Sequence, residues 1–145
     1  MDSEERQIHV SSLTDISKAK FTESVEAKHS SQSTAAQIAS HLKITTPSLR
    51  MDSQCKYAAI ARGDSDIYLR IPVDPAYQEN IWDHASGNLL VTEAGGIVND
   101  CFGKPLDFSV GRKLSKNKGV IATNGHIHEN VMTAVSKAIS CNPLL

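Results

Sequence analysis

Apolar positions along the 145-residue chain fall into two kinds of run that take turns: short alternating or continuous stretches, and longer stretches with helical spacing. Phe21-Thr22-Glu23-Ser24-Val25 alternates, which predicts a strand. After a polar loop, Ala35, Ile38 and Leu42 share one face and predict a helix over residues 35–42. Thr45-Thr46-Pro47 turns the chain, and residues 48–51 predict a short strand that runs into Asp52-Ser53. Residues 53–63 predict a helix capped by Asp52 or Ser53, with Tyr57 and Ile60 or Ala61 inward and Gly63 as its stop. Residues 66–72 are rich in β-branched and aromatic side chains, a strand that Pro72 ends. Trp82, Ala85 and Leu89 recur at i, i+3 and i+7, predicting a helix with those three as its buried stripe and Gly95-Gly96 as its stop.

A strand is predicted at 96–100, then turn residues at 102–106 and a loop to about residue 117. Gly119-Val120-Ile121-Ala122-Thr123 is continuously apolar, as in a strand buried on both faces. Asn124-Gly125 turns into a last helix over 128–138 with Val131, Val135 and Ala138 inward. Residues 1–20 form a polar N-terminal segment in which Gln7-Ile8-His9-Val10 reads as a strand without a hairpin partner, a start expected partway through a larger design. Strands alternating with helices give an α/β class with a mostly parallel or mixed sheet, in one unit over 21–145.

Composition narrows the function. With 40% hydrophobic and 21% charged residues the chain can bury a core as one globular domain. The net charge of −1 provides no overall field for nucleic acid or a membrane surface, so neither is an expected partner and any anion site is local. Cys55, Cys101 and Cys141 are widely spaced without a Cys-x-x-Cys pair, which argues against zinc or a disulfide framework and for a reducing compartment. The charged start has no apolar signal-peptide core, and no run approaches the ~20 apolar residues of a membrane span. An intracellular, cytoplasmic protein is expected.

Four places have residue types suited to chemistry. Asp52-Ser53-Gln54-Cys55-Lys56 is a strand-to-helix junction where backbone N–H groups, a hydroxyl and an ammonium can converge on a phosphate; the alternative is a capped helix with a solvated lysine. Arg70 closes an apolar strand, where ligand crevices of open α/β sheets lie; it can equally be the strand leaving the core. Asp83, next to His84, is either an N-terminal cap or an oxygen ligand for a hard cation such as Mg²⁺, while Glu93 lies nearly three turns on and reads as structural. His29, beside Ser30-Ser31, is a loop histidine able to meet a phosphate or a base edge. His126 and His128, at i and i+2, share no helix face and read as surface. Gly-x-Gly-x-x-Gly, P-loop, Gly-x-Ser-x-Gly and Cys/His metal motifs are missing, which disfavours the nucleotide folds that depend on them.

Several blocks then resemble one family. Trp82-Asp83-His84-Ala85-x-Gly87 followed by Glu93-Ala94-Gly95-Gly96 resembles the C-terminal signature of the lithium-sensitive, magnesium-dependent inositol monophosphatase superfamily. Asp52-Ser53-Gln54-x-Lys56-Tyr57, Tyr68-Leu69-Arg70-Ile71-Pro72, Tyr77-Gln78-Glu79-x-Ile81-Trp82 and Gly103-Lys104-Pro105-Leu106-Asp107-Phe108 resemble its 3'(2'),5'-bisphosphate nucleotidases, plant and fungal branch. The resemblance runs from about Phe21 to the last helix. It implies a layered helix/sheet sandwich, of which this chain is the C-terminal lobe. It also implies hydrolysis of adenosine 3',5'-bisphosphate to AMP and phosphate with Mg²⁺, with the sulfated analogue and inositol phosphates as further substrates. By the same resemblance Asp83 matches a metal-binding aspartate that also touches the nucleotide, and His29, Ser53, Lys56 and Arg70 match nucleotide-binding positions.

The family's catalytic motifs are missing from these residues. There is no Asp-Pro-x-Asp-Gly-Thr, because Asp74-Pro75 continues as Ala76-Tyr77. The chain alone is therefore expected to bind metal poorly and to show little or no phosphatase activity, whereas a full protein with the upstream half is expected to be active; the competing expectation is a non-catalytic phosphate-binding remnant or interaction module. The nucleotide bisphosphate is the expected small-molecule partner, beside an association with a missing N-terminal lobe or with a second copy of the chain. Cys55 and Asn80 are small departures from the family pattern.

Overall fold

The computed structural model describes residues 5–25 and 32–141. Strands β1 (Phe21–Glu23), β2 (Leu49–Arg50), β3 (Ile67–Arg70), β4 (Ile97–Asn99) and β5 (Val120–Thr123) form one sheet in the order β2-β1-β3-β5-β4. β2, β1 and β3 are parallel, whereas β5 runs antiparallel to both β3 and β4, so the sheet is mixed. Helices α1 (Gln32–His41), α2 (Cys55–Ala61), α3 (Ala85–Glu93) and α4 (His128–Ser140), with two 3₁₀ turns at Ile16–Lys18 and Ile81–Asp83, complete the described elements.

The two-residue period of the strands decides which helices cover which face. Phe21, Ile67, Leu69 and Ile121 pack with Ile38 of α1 and Val131 and Val135 of α4. The intervening Tyr68, Val120 and Ala122 pack with Tyr57, Ile60 and Ala61 of α2 and Val91 of α3. All four residues of β5 are buried, as its continuous apolar run requires. The result is the helix/sheet/helix sandwich expected from the alternation of patterns.

Four local expectations are corrected. Trp82 and Leu89 are 53% and 61% exposed, and the inward face of α3 is instead His84, Gly87, Val91 and Ala94. The helical period holds but its phase shifts by two residues. The reason is Gly87: a Cβ there would sit 2.2 Å from a Tyr57 ring carbon, so this face, bare of a side chain, is the one that fits α2. Neither Asp52 nor Ser53 closes α2 as a cap; the helix is flanked by Gln54 without a side-chain cap bond. Asp52 Oδ1 accepts from Val25 N–H at 3.2 Å instead. Residues 7–10 form no strand, and Val10 N–H donates to Ala94 O at 3.0 Å. His126 is exposed as expected, but His128 is buried between Asn99, 2.7 Å from Nε2, and Thr123, 2.9 Å from Nδ1. Burial lowers its pKa from the ordinary 6.5, opposed in part by Glu129.

Candidate functional site

Two features of the sandwich leave an opening at one end of the sheet. β3 ends at Arg70, and the chain leaving β2 bends sharply into α2 through Ser53, whose φ of +62° is in the left-handed region. The Ser53 hydroxyl accepts from Cys55 N–H at 3.3 Å, so side chain and turn form one unit. Across from it, the 3₁₀ turn Ile81–Asp83 precedes α3, and Gln54 ties the two helix starts by donating to Trp82 O at 3.1 Å. Between them lies a cavity of about 510 Å³.

Ser53, Lys56, Arg70 and Asp83, singled out separately along thirty residues of sequence, all line this cavity. His29 lies outside the described residues.

Lys56 is not a solvated helix lysine; it is 5% exposed. Its Nζ reaches Met51 O at 3.5 Å and stands 5.5 Å from the centre of the Tyr68 ring. Among the described residues it forms no ion pair. Burial lowers its pKa, the Arg70 charge lowers it further, and Asp52 and Cys55 oppose.

Arg70 is arranged differently. Its Nε donates to Glu79 Oε1 at 3.1 Å, with side-chain exposures of 16% and 3%. The other carboxylate oxygen stands 2.9 Å from His84 Nε2, and His84 Nδ1 stands 2.6 Å from the Tyr57 hydroxyl. Burial alone would raise the Glu79 pKa, but the hydrogen bond from His84 and the charge of Arg70 outweigh it and hold the carboxyl below its ordinary range. Burial would lower the Arg70 pKa, and Glu79 reverses that. Tyr57 is pushed well above the ordinary phenol value, by burial first and then by Tyr68 and Glu79. An ionised carboxylate only accepts, so the Glu79 contact places a proton on His84 Nε2; in the neutral imidazole Tyr57 O–H then donates to Nδ1. Such a row of contacts can activate a hydroxyl for attack, but Tyr57 is 1% exposed and its proton is held more tightly than usual, so here it orients.

Asp83 is exposed and does not cap α3, whose flanking residue is His84. Its Oδ2 accepts from Asn80 Nδ2 at 3.0 Å, and Asn80 Oδ1 accepts in turn from Lys113. Asp52 lines the same cavity. Among the described residues no group of three or more His, Cys, Asp or Glu is close enough to hold a metal ion. A hard cation needs about six oxygen ligands, so Asp83 fits as a single ligand and these residues do not make a site.

Tyr57, Glu79 and His84 were not legible as site residues. The one signal was indirect: a guanidinium ending an apolar strand needs a counter-charge nearby, and the loop after Arg70 offers Asp74 and Glu79 without a way to choose.

The inositol monophosphatase family model matches residues 1–140. The chain belongs to this family. Within it, the chain is 53% identical to the 3'(2'),5'-bisphosphate nucleotidase of Schizosaccharomyces pombe over 137 residues, 94% of this chain and 39% of that protein. The Oryza sativa protein of the same name is 47% identical over 134 residues, covering 92% and 37%. The motif resemblance to the bisphosphate nucleotidases thus extends along nearly the whole chain. Among solved structures, the Thermotoga maritima IMPase superposes with a TM-score of 0.69 at 22% identity, over 94% of this chain and 48% of that one. The Anabaena inositol monophosphatase does so at 0.64 and 25% identity, over 92% and 51%. The inositol monophosphatase-like fold is therefore the fold of this chain. The chain spans about two fifths of the length of the curated relatives it matches. No described helix is long and apolar enough to cross a membrane.

Proposed function

We propose that this family member supplies the nucleotide-holding lobe of a 3'(2'),5'-bisphosphate nucleotidase. The reaction breaks the phosphoester bond of adenosine 3',5'-bisphosphate, or of its sulfated analogue, and water adds to phosphorus to give a mononucleotide and phosphate. The observation that carries the reading is the contrast between the two cations that line the cavity. Arg70 is matched to Glu79, whereas Lys56 is 5% exposed, lines the same cavity and has no ion-pair partner among the described residues. An unmatched buried ammonium is costly to keep unless something anionic joins it. A phosphate does so, and the planar guanidinium beside it adds a fork suited to phosphate oxygens. Ser53 supplies a hydroxyl at the cavity wall, and His29 is a further expected contact.

Family membership supports a metal-dependent phosphatase, and Mg²⁺ is the ion whose chemistry suits one carboxylate plus substrate phosphate oxygens. Asp83 is the residue that would ligate it; the rest of its ligand set is not among the described residues. Taken by themselves, these residues favour holding a phosphate over hydrolysing it. Three free thiols fit action inside the cell.

Calorimetric titration tests the reading. Adenosine 3',5'-bisphosphate binds the chain, and Lys56→Ala weakens it roughly tenfold or more, the worth of one charge-assisted contact. Equal binding by both proteins contradicts the assignment, and tighter binding of an inositol phosphate than of the nucleotide replaces the substrate.

A further inference from the structure

The row Tyr57–His84–Glu79–Arg70 links three elements, α2, the start of α3 and β3, through side chains alone. Only its last member has a group left over. Arg70 uses Nε for Glu79, and the terminal nitrogens of its guanidinium have no hydrogen-bond or ion-pair partner among the described residues while the residue lines the cavity. A guanidinium is rigid and planar, so fixing Nε fixes the plane in which those nitrogens can meet a phosphate. Glu79 is itself fixed from its far side, because His84 donates to Oε2 and is held in that tautomer by Tyr57. Both carboxylate oxygens are thus in use, and at 3% exposure Glu79 is sealed from solvent rather than being a ligand for anything in the cavity.

We propose that Glu79 is a positioning residue for phosphate recognition: oriented by Tyr57 through His84, it holds Arg70 by Nε so that the terminal guanidinium nitrogens meet a phosphate of the bound nucleotide. The inference rests on the reading that the cavity takes a bisphosphate nucleotide. It adds a role that neither the lining of the cavity nor the charge of Arg70 alone requires. A guanidinium merely present would attract an anion from any direction; one held by Nε discriminates by geometry, so Glu79 bears on which phosphorylated ligand is accepted.

The test is a double-mutant cycle on the full chain, read by calorimetry with adenosine 3',5'-bisphosphate, beside the Arg70 Nε–H resonance without ligand. Glu79→Gln is expected to weaken binding ten- to a hundredfold, Arg70→Lys similarly, and the double variant no further than either, because both remove one device. In the ligand-free wild type the Nε–H resonance is protected from exchange, and in Glu79→Gln that protection is lost. Tyr57→Phe, which deletes one hydroxyl, weakens binding several-fold and serves where Glu79→Gln does not fold. Losses that add in the cycle, or variants that bind as the wild type does, overturn the proposal. If the wild type takes up no nucleotide, the functional reading fails and the resonance alone decides: protection that depends on Glu79 supports the positioning role, and protection indifferent to Glu79 overturns it.

Discussion

Glu79 Oε1 lies 3.1 Å from Nε of the cavity-lining Arg70, and the carboxylate is shielded from water almost completely. A pair in that setting is matched but not free to separate. Removing one partner leaves a buried charge uncompensated, which typically costs about 3–5 kcal/mol. Arg70→Ala is therefore expected to lower stability by at least ~2 kcal/mol in urea unfolding, allowing for Arg70's partial exposure.

Lys56 gives the opposite sign. It is buried without an ion pair among the described residues, and its ammonium form is disfavoured by burial and by Arg70. Lys56→Met keeps the aliphatic volume and removes the charge, so the variant is expected to gain on the order of 1 kcal/mol while losing affinity for phosphorylated ligands. Thermal unfolding and ligand titration on the same sample check both halves. A destabilised Lys56→Met that still binds would show that the lysine is structural.

Acid stability follows from two buried groups. The His128 pKa is lowered from 6.5, chiefly by burial, so the unfolded chain takes up its proton first and stability drops as the pH falls below about 6.5. The Glu79 pKa is also lowered, from 4.5, so its contribution is present above that value and is lost as the pH falls through the folded-state value. Unfolding free energies between pH 8 and 3 should decline in those two windows in turn. Glu79→Gln should flatten the lower window and leave the upper one.

Gly87 decides how α3 lies on α2. Gly to Ala within a helix ordinarily gains up to about 1 kcal/mol. Here the new Cβ would stand 2.2 Å from a carbon of the buried Tyr57 ring, and overpacking of that kind costs about 1–3 kcal/mol. The cost wins, because the ring is also tethered through its hydroxyl to His84. Gly87→Ala is expected to lower the melting temperature and weaken ligand binding together.

Much of this was legible in the sequence. Apolar patterns placed all five described strands and all four described α-helices to within a few residues, alongside a strand at 7–10 that does not form. Residue type and position at element ends made Ser53, Lys56, Arg70 and Asp83 candidates one at a time, each beside a structural alternative, and the family resemblance grouped them. Their convergence required the sheet order, in which β3 lies between β1 and β5. The phase of α3 was misread because Trp82 and Leu89 outweigh Gly87 in any hydrophobic pattern, whereas packing chose the residue without a side chain. The Glu79–His84–Tyr57 row was hidden for a related reason: polar residues satisfy one another only in three dimensions.

The most direct measurement of the central claim is titration of the wild-type chain with adenosine 3',5'-bisphosphate and with AMP under identical conditions. With Lys56 and Arg70 holding phosphate, the bisphosphate binds at least about tenfold more tightly than AMP, and Lys56→Ala removes most of that difference. Equal affinity for the two ligands, unchanged by Lys56→Ala, would contradict a phosphate-holding site in this cavity.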